Sequence, residues 1–103
     1  KADYIISIEN IVREFEENEE IANKKYLDKI IQVEGNIIDI TLTDGNGTIT
    51  LDSKNSGKTV VCSMIASENI KVVGLQKGNK ITVRGICTGY LMDVMLVRAI
   101  IVN

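Results

Sequence analysis

Cys62 and Cys87 are the residues of this 103-residue chain best suited to chemistry, because the sequence contains no histidine. Two thiols alone supply too few ligands for a structural zinc site, so we expect neither a metal nor a cofactor. Both cysteines fall on predicted inward faces of strands. We favour a disulfide between them, which would stabilise the fold by about 3.5 kcal/mol. Two reduced thiols packed in the core as small apolar groups are the alternative.

Four residues are candidates for contact with a ligand: Lys54, Lys58, Arg84 and Tyr90. Single-stranded nucleic acid is usually bound by basic groups along a groove and by aromatic side chains on which bases stack. Tyr90 is the only aromatic residue after position 29, so this set supports at most weak binding of bases. The alternative for Tyr90 is a structural role, in which its ring packs over the end of the fold.

The segment 44–49, Asp-Gly-Asn-Gly-Thr-Ile, copies the middle of an EF-hand calcium loop. In such a loop the first ligand position would be Leu42 and the last would be Ser53, where a bidentate glutamate is required. The flanking residues also have the pattern of strands rather than helices. The segment therefore predicts a hairpin turn and not a calcium site.

The composition argues against several functions. The formal net charge is −2, whereas a dedicated nucleic-acid binder usually carries a strong basic patch. No glycine-rich phosphate loop precedes a helix, and no histidine is present to act as a general base. We therefore expect a protein that is not an enzyme. No apolar run approaches the roughly 20 residues that cross a bilayer.

Residues 1–29 are predicted to form a helical lead that packs on the rest of the domain. Apolar side chains recur at helical spacing from Tyr4 to Phe15, and Asp3 is placed to cap this helix. A second short helix is expected over 19–27, with Asn18 as its N-cap. Its apolar side carries three residues: Ile21, Ala22 and Tyr26.

Residues 30–103 predict five strands, with a short helix between the third and the fourth. The strands are expected at 30–42, 48–51, 58–64, 80–88 and 92–102, and the helix is expected from Ser67 to Val73 with Ile70 and Val73 facing inward. Gly35 and Gly85 interrupt the first and fourth strands, as at bulges that let one strand pair with two partners. This order predicts a mainly β domain, a five-stranded OB-fold barrel.

The chain also resembles a known family. The run from Asn18 to Lys29, which has the form NExxA…KY, is followed by Ile31-Gln32-Val33-Glu34-Gly35, and the stretches 60–62 and 75–89 continue the match. These segments resemble the tRNA-anticodon-like OB-fold family of small bacterial proteins. The resemblance covers nearly the whole chain and implies an OB barrel with a helical lead. It also implies export, because many members are lipoproteins with a lipidated cysteine upstream of the domain.

The resulting prediction is one domain that serves as a non-catalytic binding module of an exported, lipid-anchored bacterial protein. Its partner is a ligand or protein that the sequence does not identify, and a cytoplasmic location is the alternative. The expected contact surface comprises the second and third strands, the turn 44–47, Lys54, Lys58 and Tyr90. Binding of a single-stranded oligonucleotide through the same surface is the second hypothesis. A third is self-association through an exposed strand edge. The membrane is expected as a partner only through an anchor upstream of residue 1.

Overall fold

The computed structural model describes residues 1–54 and 56–102. The helices are α1 (Ile8–Glu17), α2 (Glu19–Tyr26) and α3 (Asn69–Val73), the last preceded by a 3-10 turn over Ala66–Glu68. The strands are β1 (Tyr4–Ile5), β2 (Ile30–Thr43), β3 (Asn46–Asp52), β4 (Thr59–Met64), β5 (Lys80–Leu91) and β6 (Asp93–Val102).

Strands β2 to β6 close into a barrel because β2 pairs with two partners. Its first half, residues 30–36, is antiparallel to β5, and its second half, residues 36–43, is antiparallel to β3. The circuit is completed by β4, which is antiparallel to β3 and parallel to β6, and by the antiparallel pair of β6 and β5. The predicted mainly β fold, a five-stranded OB barrel, is therefore confirmed.

Gly35 lies where β2 changes partner. A Cβ atom at this position would be 2.5 Å from Ile8 Cδ1 and 2.7 Å from the backbone oxygen of Asp52. Real Cβ atoms do not approach other atoms so closely, and the oxygen is main chain that cannot move aside alone. The glycine is thus required by the packing of α1 and β3 against β2. The predicted bulge at this residue is wrong, since the register with β5 is regular through Gly35 and the shift in β2 falls between Ile37 and Asp39.

The hairpin between β2 and β3 is tighter than the sequence suggested. Asp44 and Gly45 both have positive φ, 52° and 79°, and form a two-residue turn of the kind that suits the twist of antiparallel strands. Asn46 and Gly47 consequently pair with Thr43 and Leu42 and begin β3, two residues before the predicted start. The expectation of a hairpin in this segment is met.

The first helix begins later than predicted. Tyr4 and Ile5 form β1, a short parallel strand paired with Ile31 and Gln32. Ser7 is the N-cap, its Oγ accepting a hydrogen bond from the Asn10 backbone N–H. Asp3 instead accepts a hydrogen bond from the Ile30 N–H. These residues form a strand instead of a helical turn because the strand satisfies backbone groups on the edge of β2 that β3 does not reach.

Four side chains of α1 pack into the same core as the inward side chains of the barrel and close one of its openings: Ile8, Ile11, Val12 and Phe15, all at most 2% exposed. Asn18 caps α2 as predicted, since its Oδ1 accepts a hydrogen bond from the Ile21 N–H at 3.1 Å. Ala22 and Tyr26 are buried, whereas Ile21, which was predicted to share their apolar side, is 62% exposed.

The predicted inward positions of Ile70 and Val73 on α3 are also wrong. These side chains are 85% and 67% exposed, and Val72 is the buried residue. The helix starts at Asn69, after Glu68 as its cap, rather than after a cap at Ser67. Val72 is two positions from Ile70 and so lies roughly 200° around the helix axis from it. The Asn69 side chain donates a hydrogen bond to the Gly45 carbonyl, which ties α3 to the β2–β3 turn.

The contacts of Gly35 predict that Gly35→Ala lowers the free energy of unfolding by about 1–3 kcal/mol, because the added methyl group overpacks the junction of α1, β2 and β3. Gly74→Ala is the matched control. Gly74 has a φ of −88°, and its Cβ would meet only the Lys71 carbonyl at 3.6 Å, so stability should be unchanged or raised by up to about 1 kcal/mol. Urea unfolding followed by circular dichroism measures both, and equal effects would contradict the role assigned to Gly35.

Candidate ligand-binding face

The outer surface of β3 and β4 corresponds to the face with which OB-folds bind their ligands. Side chains alternate along these strands, and those of Ile49, Leu51, Val60 and Cys62 point inward and are fully buried. The outward positions carry small side chains that are partly exposed: Thr48, Thr50, Thr59, Val61 and Ser63.

Strand register extends this surface over two neighbouring strands. Thr50 lies opposite Asp39 of β2 and Val61 of β4, and Val61 lies opposite Met95 of β6. A second row joins Thr41, Thr48 and Ser63. We call the set formed by these two rows and Thr59 the hydroxyl face, because threonine and serine supply most of it. The alternation of Thr48 and Thr50 with Ile49 and Leu51 is the sequence signal that could have identified it.

Two carboxylates lie at the edges of the hydroxyl face. Asp39 lies at one edge, and Asp93 at the other edge accepts a hydrogen bond from the Thr59 hydroxyl. No lysine or arginine occurs in the described segments of β3 and β4, 46–52 and 59–64. Arg98 of β6 is exposed and lies beside Ser63, where the register of β4 and β6 shifts. The centre of the face, on β3 and β4, therefore lacks the row of cations that would attract a phosphate backbone.

The two predicted contact lysines lie beside α1. Lys58 Nζ is 2.8 Å from Glu16 Oε1, in an ion pair with that helix. Lys54 lines a cleft of about 300 Å³ together with Lys80 and three acidic residues: Glu9, Glu34 and Asp52. Both cations are thus close to carboxylates at one end of the hydroxyl face. Their contact with a ligand stays a prediction.

Tyr90 is half-buried at the end of β5. Its ring stacks on Phe15 of α1, with 5.6 Å between centroids and 13° between planes. Phe15 in turn contacts Tyr26 at 6.0 Å, and Tyr26 contacts Tyr4 edge-on at 5.0 Å. The chain has three tyrosines, one phenylalanine and no tryptophan, so every aromatic residue belongs to this one packed cluster.

Arg84 lies on a different part of the surface, on the outer side of β5. Its Nε and Nη2 donate to Gln32 Oε1 of β2 at 3.1 and 3.0 Å. The structure therefore places Lys54, Lys58 and Tyr90 near α1 but does not bring Arg84 to them. Sequence reasoning could not separate these positions, because which outer face a residue shares depends on strands distant in sequence.

The structure corrects the predicted disulfide, since Cys62 and Cys87 are both free and buried. They lie on opposite sides of the same residue, Leu96 of β6. Two strand spacings separate their Cα atoms by about 10 Å, whereas a disulfide spans at most about 7 Å. The intervening strand is the last in the chain, so nothing near either cysteine in the sequence reveals it.

Burial sets the acidity of both thiols. Desolvation raises the pKa of Cys62 to about 12. Burial also raises the pKa of Cys87, with a partly opposing hydrogen bond from the Gly89 backbone and a small rise from the charge of Asp28. Because the thiolate is the reactive form of cysteine, neither residue is an active nucleophile near neutral pH.

These features define a closed OB-fold barrel with a plugged end and an exterior surface suited to binding. No curated protein matches the chain. The match to a family model extends over residues 1–101, and the chain belongs to that family, tRNA_anti-like. The resemblance noted in the sequence is thus confirmed.

Solved structures share the fold at low identity. A crystal structure described as that of a "putative nucleic acid-binding lipoprotein" from Klebsiella pneumoniae is 20% identical, with a TM-score of 0.84 over 96% of this chain and 91% of that chain. The Stn1–Ten1 complex of S. pombe is 21% identical, with a TM-score of 0.57 over 72% of this chain and 58% of that one. A "putative aspartyl-tRNA synthetase" from Leishmania major is 9% identical, with a TM-score of 0.65 over 96% of this chain but 20% of the other.

At these identities the neighbours establish the fold and not the ligand.

Within the described residues, none of the helices has the length and apolar character needed to span a bilayer.

The buried thiols make a prediction about pH. The folded-state pKa of Cys62, about 12, exceeds the ordinary value of 9.0. The preference of the folded state for the protonated Cys62 thiol is therefore fully present below about pH 9, and the stability that it contributes is lost as the pH rises through the folded-state pKa. The free energy of unfolding in urea should fall over this range, and the fall should be shallower in Cys62→Ala.

Thiol labelling provides the companion measurement. Near pH 8, both cysteines should resist Ellman's reagent in the native protein and react fully in urea, because buried thiols are inert. Rapid labelling of the native protein, or a reagent count of zero free thiols in urea, would contradict this account of the pair.

Proposed function

We propose that the chain is a non-catalytic binding module whose ligand lies across the hydroxyl face and carries no strong negative charge. The observation that carries this proposal is the aromatic cluster. Because Tyr4, Tyr26, Phe15 and Tyr90 pack on one another beneath and beside α1, none of them stands on β3 or β4 to stack on a base.

The absence of a reactive group on this face supports a binding role rather than catalysis. The hydroxyl face carries no cysteine on an outward position, and the two thiols inside the barrel are held protonated by burial. The hydroxyl face presents hydroxyls, valine, methionine and the Asp39 carboxylate, which can donate or accept hydrogen bonds or pack against a ligand. These groups suit a neutral ligand rich in hydrogen-bonding groups, and oligosaccharides are among the ligands that OB-folds bind.

Binding of a single-stranded oligonucleotide is the second candidate. Lys54 and Lys58 at one end of the hydroxyl face favour it, as does the likeness to the "putative nucleic acid-binding lipoprotein" of Klebsiella pneumoniae. Against it stand the ion pair of Lys58 with Glu16 and the two carboxylates, Asp39 and Asp93, at the edges of the face. A phosphate chain crossing β3 and β4 would meet no lysine or arginine on either strand, and Arg98 of β6 is the one cation beside this path in the described residues.

Titration of the ¹⁵N-labelled chain distinguishes the two candidates. Chitotetraose serves as the neutral oligosaccharide, and oligothymidylate of about 12 nucleotides serves as the nucleic acid. We expect chitotetraose at about 1 mM to shift the backbone amides of 48–50 and 61–63. The oligonucleotide should leave them unchanged at roughly 0.2 M salt, and only weak, salt-sensitive shifts near Lys54 and Lys58 are expected at roughly 0.02 M.

Thr50→Arg and Thr82→Arg form a matched pair of controls, since both replace a partly exposed outward threonine, one on the hydroxyl face and one on β5. Thr50→Arg should abolish the response to chitotetraose and increase that to the oligonucleotide, whereas Thr82→Arg should do neither. Shifts on β3 and β4 caused by the oligonucleotide alone would overturn the proposal in favour of the second candidate. An absence of shifts with both probes would refute the proposed ligand class.

We further infer that the domain is the exported part of a lipid-anchored bacterial protein. Membership of the tRNA_anti-like family and the likeness to a lipoprotein of Klebsiella pneumoniae support this location. Expressed from its complete reading frame in bacteria, the protein should incorporate a fatty-acid label and enter the detergent phase of Triton X-114. The 103-residue chain alone should stay in the aqueous phase. Full-length protein found unlabelled in the cytoplasm would contradict the anchor.

A further inference from the structure

The outer side of β5 and of the first half of β2 forms a second surface, which we call the β2–β5 face. Register aligns three rows across it. One row runs Ile5, Gln32, Arg84, Ile100, a second runs Ile30, Ile86, Val97, and a third runs Glu34, Thr82, Val102. Most of these side chains are apolar, and all are at least partly exposed. Ile5 is 77% exposed at the edge.

Arg84 and Glu34 are the charged residues at the centre of this face, and Lys80, opposite Asn36, lies at its end in the cleft that Glu34 also lines. Arg84 and Glu34 lie on adjacent strands in diagonal positions, since Gln32 is opposite Arg84 and Glu34 is opposite Thr82. Neither Arg84 nor Glu34 takes part in an ion pair within the described residues. The ion pairs there join Lys25 to Glu14, Lys58 to Glu16 and Lys71 to Glu68. Gln32 instead holds the guanidinium through two hydrogen bonds, which fixes the direction of the charge.

We propose that the β2–β5 face binds the same face of a second copy of this chain. A two-fold axis that passes between Arg84 and Glu34 in the plane of the interface brings Arg84 of each copy onto Glu34 of the other. Interfaces of this symmetry are self-complementary, so one geometric relation satisfies both charges of both copies.

The apolar rows supply the surface that such a dimer buries. Ile30, Ile86 and Val97 lie on one side of the charged pair and Ile5 and Ile100 lie beside it, so contact removes water from around the ions and strengthens their attraction. A groove of about 410 Å³, lined in part by Ile5, Gln32, Glu34 and Thr82, gives the face a recess for a side chain of the partner copy. Arginine is enriched at the centres of protein interfaces of this kind.

Sedimentation equilibrium with charge reversal tests the proposal. Between roughly 10 µM and 1 mM, the chain should show a reversible transition from 11.4 kDa to twice that mass. Arg84→Glu and Glu34→Arg should each raise the dimer dissociation constant by about tenfold or more, because each places like charges in contact twice. The double variant with both reversals should restore the constant to within about threefold, since the pairs reform with opposite polarity.

Asp39→Arg on the hydroxyl face is the matched control and should leave dimerisation unchanged. Ile5→Asp, at an exposed position on the proposed interface, should weaken the dimer without lowering the unfolding temperature. It and Glu34→Arg carry the test if Arg84→Glu fails to fold. A single species of 11.4 kDa at every concentration would overturn the proposal. A dimer insensitive to these substitutions, or one that the double variant does not restore, would place the interface elsewhere and overturn it as well.

Discussion

Closure of this barrel depends on the close approach of three elements at one residue. β2 changes partner from β5 to β3 at residue 36, and at the adjacent position 35 the space for a side chain is already occupied by Ile8 of α1 and the backbone of Asp52. The glycine therefore couples the ring of strands to the helix that plugs it. Because α1 and the barrel share one core, the N-terminal segment is part of the architecture that the strands require.

The plug also determines where the aromatic residues are used. Phe15 lies between Tyr90 of β5 and Tyr26 of α2, and the Tyr26 hydroxyl donates to Glu14 at 2.8 Å, so the two helices and the barrel end are joined through one cluster. Aromatic rings bury large areas and pack with specific geometry. In a chain with so few of them, their use here leaves the exterior faces of the barrel to aliphatic, hydroxyl and charged side chains.

Local patterns in the sequence predicted what local physics decides. Residue types within a few positions of one another predicted the cap at Asn18, a hairpin turn within 44–47 and the order of the strands. Partners distant in sequence decided the rest. The disulfide prediction was wrong because β6 inserts between β4 and β5, and β1 was missed because its pairing with β2 outweighs a helical pattern. The candidate site was split for the same reason: Arg84 and Tyr90 are six residues apart in β5 yet belong to different surfaces.

The two proposed surfaces are compatible because the barrel has more than one outer side. The hydroxyl face is centred on β3 and β4 and includes the second half of β2. The β2–β5 face uses the first half of β2 together with β5 and the second half of β6. Association through β2 and β5 therefore leaves both hydroxyl faces of a dimer open to solvent. Each hydroxyl face offers hydrogen bonds but little charge or aromatic area, so a single contact is weak. A repetitive ligand that engages both copies at once gains effective concentration from the second site without any new contact, and a modest binding face then becomes sufficient.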